Sequence, residues 1–135
     1  MLGSIGLTSL VVLRQLLVQS ETAEAAETDG LTGLANRSRL HDELAHALQR
    51  ASRTGDTVAV LLIDLNGFKQ INDTLGHRAG DGLLVAVAEA MRHSVRQDDL
   101  VGRLGGDEFA VLLRTAGDES AAGAVAQRIG AAIAR

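Results

Sequence analysis

The stretch VGRLGGDEFAVLLR, Val101 to Arg114, constrains the fold more than any other part of the chain. Two apolar runs, LVGRL and EFAVLLR, meet at Gly105 and Gly106. Both runs suit a pleated strand, and adjacent glycines supply the positive φ angles of a tight connection, so the stretch reads as a β-hairpin. At its tip stand adjacent acids, Asp107 and Glu108. They are either solvated turn residues or parts of a site, and the hairpin alone does not decide between the two.

The flanking sequence supplies cover for the hairpin. RSRLHDELAHALQRAS carries Leu40, Leu44, Leu48 and Ala51 at helical spacing, so it reads as a helix with those residues on its core face. TVAVLLID is β-branched, apolar and short, hence a buried strand ending at Asp64. NGFKQINDTLG reads as a short helix opening at Asn66 and stopping at Gly76. Asp81 then caps a longer helix with the stripe Leu84, Val87, Met91 and Val95. A last helix carries Ala122, Val125, Ile129 and Ile133. Strands separated by helices, with one central hairpin, predict an α/β sandwich: a sheet covered by helices.

The chain's 135 residues fit one domain. It has no cysteine, which excludes disulfides and thiolate metal sites. A formal charge of −4 argues against a nucleic-acid-coating surface, and Phe68 and Phe109 are the only aromatics of the Phe, Trp and Tyr class. No nucleic-acid partner is expected, and a nucleotide would be bound singly, in a pocket. Residues 1–19 are strongly apolar but interrupted by Arg14, and the polar, Ala/Glu-rich SETAEAAETDG follows them. Residues 1–28 therefore read as a helical lead-in, either the end of a membrane helix, which would anchor the chain, or a coiled-coil connector. The expected location is cytoplasmic, at the inner face of the membrane if the anchor reading holds.

If the strands that end at Asp64 and begin after the glycines are neighbours, Asp64, Asp107 and Glu108 converge. Three carboxylates without a lysine among them repel one another unless a divalent cation intervenes, and hard oxygen donors suit magnesium carrying substrate phosphates. Lys69, the single lysine of the chain, falls on the short helix after Asp64, placed to meet phosphate. Asn72 lies three residues on, on the same face. Guanine presents two adjacent donors on its pairing edge, which an acceptor such as the Asp81 carboxylate satisfies. The plainer readings are a solvated lysine and ordinary helix residues.

GGDEF at 105–109, DGLTGLANR at 29–37 and DLNGFKQINDTLGHRAGD at 64–81, in this order and spacing, resemble the GGDEF family of diguanylate cyclases. The resemblance covers residues 29–135. It implies a palm-like, ferredoxin-like sandwich with a central, mostly antiparallel sheet, preceded by an N-terminal helix. The implied reaction condenses two GTP into cyclic di-GMP with release of two pyrophosphates, and it needs a homodimer. The resemblance implies that Asp64, the Leu65 carbonyl, Asp107 and Glu108 hold two Mg²⁺ (or Mn²⁺) ions per active site. It makes Asp107 the base, assisted by Glu108, with Arg103 in support. Substrate contacts fall to Phe68, Lys69, Asn72, Asp81, Gly105 and Gly106.

A further match is RQDD, Arg96 to Asp99, which reads as RxxD with five residues between Asp99 and Gly105. In the family that spacing marks an inhibitory site for the product, cyclic di-GMP. Asn66 stands where many members carry a second acid. Members also continue past the last helix with a strand and a basic segment, which are not expected within residues 29–135. The alternative reading is a catalytically inactive domain that binds GTP or cyclic di-GMP in signalling.

Overall fold

The computed structural model describes residues 26–134. The elements run α1 (Arg37–Thr54), β1 (Ala59–Asp64), α2 (Phe68–Leu75), α3 (His77–Ser94), β2 (Leu100–Gly105), β3 (Glu108–Leu113) and α4 (Glu119–Ile133). The strands form an antiparallel sheet of order β1-β3-β2, with the hairpin strands adjacent and the last of the described strands in the centre. Register in the outer pair runs from Ala59 opposite Leu113 to Asp64 opposite Glu108. The hairpin pair slips between Arg103 and Gly105, an irregularity beside the turn.

Side-chain alternation along β3 divides the core into two layers. Phe109, Val111 and Leu113 face α3 and α4, where they pack with Leu84, Val87, Met91 and Ile129. Ala110 and Leu112 face α1, against Leu40 and Ala47. Phe109, Leu84, Met91 and Leu112 are almost wholly shielded from water, and burying a side chain of this size contributes about 1.5–3 kcal/mol.

Several expectations are corrected. β1 is not buried on both sides: its residues alternate, and Leu62 is 74% exposed. The reason is that α1 lies over β2 and β3 and leaves the same face of β1 open. Leu48 is likewise exposed, because the face of α1 that reaches the sheet runs through Leu40, Leu44 and Ala47, and Ala47 lies outside the expected stripe. The short helix opens at Phe68 instead of Asn66, since Gly67 holds a left-handed φ of 79° that no helix accommodates. Asp81 does not cap: α3 starts earlier, at His77, and Asp81 lies inside it. Residues 26–28 are not helical, because Thr28 bridges Ala35 and the Glu27 carbonyl accepts from the Asn36 backbone. The rest of the lead-in, the membrane-anchor reading of residues 1–19 included, lies outside the described residues. Among those that are described, no helix is long and apolar enough to cross a membrane.

The loop before α1 is fastened to the hairpin by charge. Asp29 accepts from the Thr32 backbone at 2.9 Å and from its hydroxyl at 2.8 Å. Arg103 on β2 donates Nη1 to both Asp29 carboxylate oxygens at 3.0 and 3.2 Å. The pair is mostly shielded, with side-chain exposures of 14% and 20%. Burial pushes the Asp29 carboxyl upward, but the Thr32 hydrogen bonds and the Arg103 guanidinium outweigh it and hold it below its ordinary value. A carboxylate depressed in the folded state stabilises the fold above its unfolded pKa, and loses that contribution as pH falls through the folded value. Asp29→Asn should therefore lower stability at neutral pH by about 1–3 kcal/mol. Urea unfolding at pH 7 and pH 3 checks this: the gap between variant and wild type should shrink at the lower pH.

Candidate active site

The two acids of the hairpin occupy different places. Glu108 is the first residue of β3, whereas Asp107 sits in the turn, one residue earlier than a strand start. Gly106 takes a φ of 49° and Gly105 one of 147°, which explains glycine at both positions. Chain neighbours aside, no atom of the described residues lies within 4 Å of where a β-carbon would stand on either, so the turn backbone faces open space. From behind, Arg103 holds the turn: its Nε and Nη2 both donate to the Gly106 carbonyl, at 3.1 and 2.9 Å. One guanidinium thus ties the turn to Asp29.

Asp64 reaches this turn because β1 and β3 pair to their ends. It lies opposite Glu108, and the Leu65 backbone N–H donates to the Asp107 carbonyl at 3.2 Å. The Asp64 carboxyl is pushed above the usual range, first by the charge of Asp107 beside it, then by desolvation, by a hydrogen bond shared with Asp107, and by Glu108. The Leu65 N–H opposes the shift weakly. No lysine or arginine pairs with Asp64, Asp107 or Glu108 among the described residues. The expected convergence of three carboxylates is present as a close pair with Glu108 at its flank. Among the described residues no three potential ligands are already gathered as a metal cage. Oxygen-only donors and uncompensated negative charge fit a hard divalent cation. A small cavity of about 160 Å³ opens here, lined by Leu62, Asp64, Leu104 and Glu108 among others.

The helical residues gather on a second wall. Lys69 is exposed in the first turn of α2, and Phe68 beside it packs partly into the core. Asn72, one turn further, has a buried side-chain oxygen without a hydrogen-bond partner among the described residues. A β-carbon on Gly80 would overlap that oxygen and stand 2.8 Å from the Asn72 Cγ. Glycine at 80 thus lets Asn72 nest against α3, next to exposed Asp81. The α2–α3 packing therefore sets Asn72 against Gly80, the residue before Asp81. Sequence reading missed Gly80; a glycine inside a helical stripe was its only signal.

Arg96 and Asp99 lie away from the hairpin tip, on the turn between α3 and β2. The Asp99 carboxylate accepts from the Arg96 backbone at 3.1 Å, and the Asp99 N–H donates to the Arg96 carbonyl at 3.0 Å. The turn is closed on itself, and both residues line cavities on either side of it, of about 370 and 240 Å³.

Comparison with known proteins fits this geometry. Residues 26–135 match the family model described as diguanylate cyclase, GGDEF domain. The chain is 50% identical over 102 residues to the diguanylate cyclase TpbB of Pseudomonas aeruginosa, covering 73% of this chain but 23% of that protein. A structure of the isolated GGDEF domain of P. aeruginosa TpbB superposes with a TM-score of 0.77 at 45% identity, covering 80% of this chain and 63% of that one. The GGDEF domain of DgcB from Caulobacter crescentus, solved in complex with cyclic di-GMP, gives a TM-score of 0.72 at 36% identity, covering 77% of this chain and 60% of that one. The chain thus spans less than a quarter of the length of the curated relative named here. Palm-like α/β topology, the glycine turn and a match through nearly the whole described region converge on one assignment: the chain belongs to the GGDEF domain family of diguanylate cyclases.

Proposed function

We propose that this domain synthesises cyclic di-GMP, joining two GTP molecules with release of two pyrophosphates. The observation that carries the reading is the placement of Asp64 at an open glycine turn, opposite Glu108 and followed by the Leu65 N–H that bonds the Asp107 carbonyl. No lysine or arginine is paired to these acids among the described residues. Asp64 and Asp107, with Glu108 and the Leu65 carbonyl, would hold Mg²⁺ or Mn²⁺, two per site. Bound there, the metal lowers the pKa of the attacking ribose hydroxyl and neutralises charge on the α-phosphate.

The remaining work falls to the chain's own groups. The turn backbone at Gly105 and Gly106 lets the triphosphate approach without a side chain in the way, and Arg103 fixes that backbone through the Gly106 carbonyl. Lys69 supplies positive charge to the triphosphate. Phe68 supports the α2 wall, on which the Asn72 oxygen and the Asp81 carboxylate accept from the guanine donors. The Asn72 oxygen has no partner of its own among the described residues, and turning the side chain out from Gly80 offers it to the base. Asp107 takes the 3′-hydroxyl proton, with Glu108 assisting. Each domain holds one GTP, so bond formation requires two copies facing each other. Arg96 and Asp99 offer a cation and an acceptor to cyclic di-GMP on a separate surface. The complex of the similar DgcB domain with cyclic di-GMP supports that class of ligand.

Product chromatography after incubation with GTP and magnesium tests the reading. Asp64→Asn should reduce synthesis about 100-fold or more. Its thermal midpoint without metal should rise, because repulsion from Asp107 is relieved. Turnover close to wild type in that variant removes the two-carboxylate assignment. GTP bound without product would instead favour the inactive signalling domain.

Base recognition has its own test. Gly80→Ala keeps or improves helix propensity yet displaces the Asn72 side chain, so GTP affinity should fall with no loss of stability. Asp81→Ala should weaken GTP while leaving ATP unchanged. Calorimetric titration of both nucleotides reads both effects, and equal losses for GTP and ATP would reduce Asp81 to a structural residue.

A further inference from the structure

The turn that bears Arg96 and Asp99 is held from outside by arginines of other elements. Arg128 of α4 donates Nε to the Ser94 carbonyl at 2.7 Å, where α3 ends. Arg114, the residue after β3, donates Nη1 to the Asp98 carbonyl at 3.0 Å, between the paired residues of the turn. The other arm of the same guanidinium, Nη2, meets the Glu43 carboxylate of α1 at 2.7 Å. Alternation along β3 explains the meeting: Arg114 follows Ala110 and Leu112 on the face that α1 covers.

We propose that Glu43 and Arg114 form a bracket that sets the conformation of the Arg96–Asp99 turn for a cyclic dinucleotide, without touching that ligand. The inference rests on the reading of Arg96 and Asp99 as the product site. A ligand carrying phosphodiesters and guanines needs the guanidinium of Arg96 and the carboxylate of Asp99 at a fixed spacing. The peptide between them is oriented by the Asp98 carbonyl, and Arg114 can hold that carbonyl only while its own planar fork is held by Glu43. Both side chains are about a third exposed, at 30% and 33%, so the ion pair adds little to global stability. Its effect is preorganisation of the turn, which appears as affinity. Glu43 and Arg114 are positioning residues for the product site, and α1 thereby becomes mechanically connected to it.

Calorimetric titration of the chain with cyclic di-GMP tests the bracket, using wild type, Arg96→Ala, Glu43→Gln, Arg114→Gln and the Glu43→Gln/Arg114→Gln double variant. Arg96→Ala should abolish binding. Glu43→Gln and Arg114→Gln should each weaken it about tenfold, and the double variant should be no weaker than Arg114→Gln, since Glu43 acts through Arg114. Urea midpoints and GTP affinity should stay near wild type in all three bracket variants, which a general loss of structure would not allow. If Glu43→Gln binds product like wild type while Arg96→Ala does not, the bracket is wrong and the product site stands. Additive losses in the double variant would also overturn it. If wild type binds no cyclic di-GMP, or Arg96→Ala still binds it, the product-site reading fails and the bracket with it.

Discussion

β3 is hydrogen-bonded along both edges and covered on both faces, and the other elements are arranged by that fact. A strand in this position must be apolar on alternate residues to both sides, as Phe109–Leu113 is. It must also have neighbours of matching length. β1 and β2 end level with it, which delivers Asp64 and Arg103 to the same end of the sheet as the glycine turn. The charged groups of the candidate site are therefore positioned by the buried, doubly paired strand, while they themselves remain at its rim. Like charges brought to one end of the sheet disfavour one another's ionisation, and the Asp64 carboxyl is raised from its ordinary value chiefly by Asp107.

What the sequence made legible followed from local periodicity. The hairpin and the helix order were readable because alternation and apolar stripes report directly on which faces are covered. The neighbouring of Asp64 with Glu108 was only a condition there, because periodicity does not say which strands pair. Element starts were less legible. Asn66 and Asp81 are both good helix-capping types, yet Gly67 and Gly76 ended up at those boundaries, because backbone conformation in the turns overrode side-chain preference. Exposure of Leu48 and Leu62 was illegible for another reason: it depends on how far α1 reaches across the sheet, which no single segment encodes.

The polar fastenings were hidden by distance along the chain. Asp29 and Arg103 are 74 residues apart, and Glu43 and Arg114 are 71 apart. Resemblance to a family pointed to Arg103 as a supporting position, but only geometry shows that its guanidinium binds the turn carbonyl and the Asp29 carboxylate at once. Asn72 stood out from sequence as a recognition residue; the glycine that makes room for it did not. In both cases the side chain was readable and its partner was not.

The outer edges of the sheet are unequal. Along β2, Ala35 lies against Gly102, accepting from the Arg103 backbone at 2.9 Å and donating to the Val101 carbonyl at 3.3 Å, so that edge is closed by a loop. β1 has no strand on its outer side among the described residues, and Val60 and Leu62 stand exposed beside it. An open row of backbone donors and acceptors bordered by aliphatic side chains is a template for strand addition. The exposed edge runs up to the acidic rim itself, since Leu62 shares a cavity with Asp64 and Glu108. Self-association by edge pairing would therefore extend the sheet up to that rim.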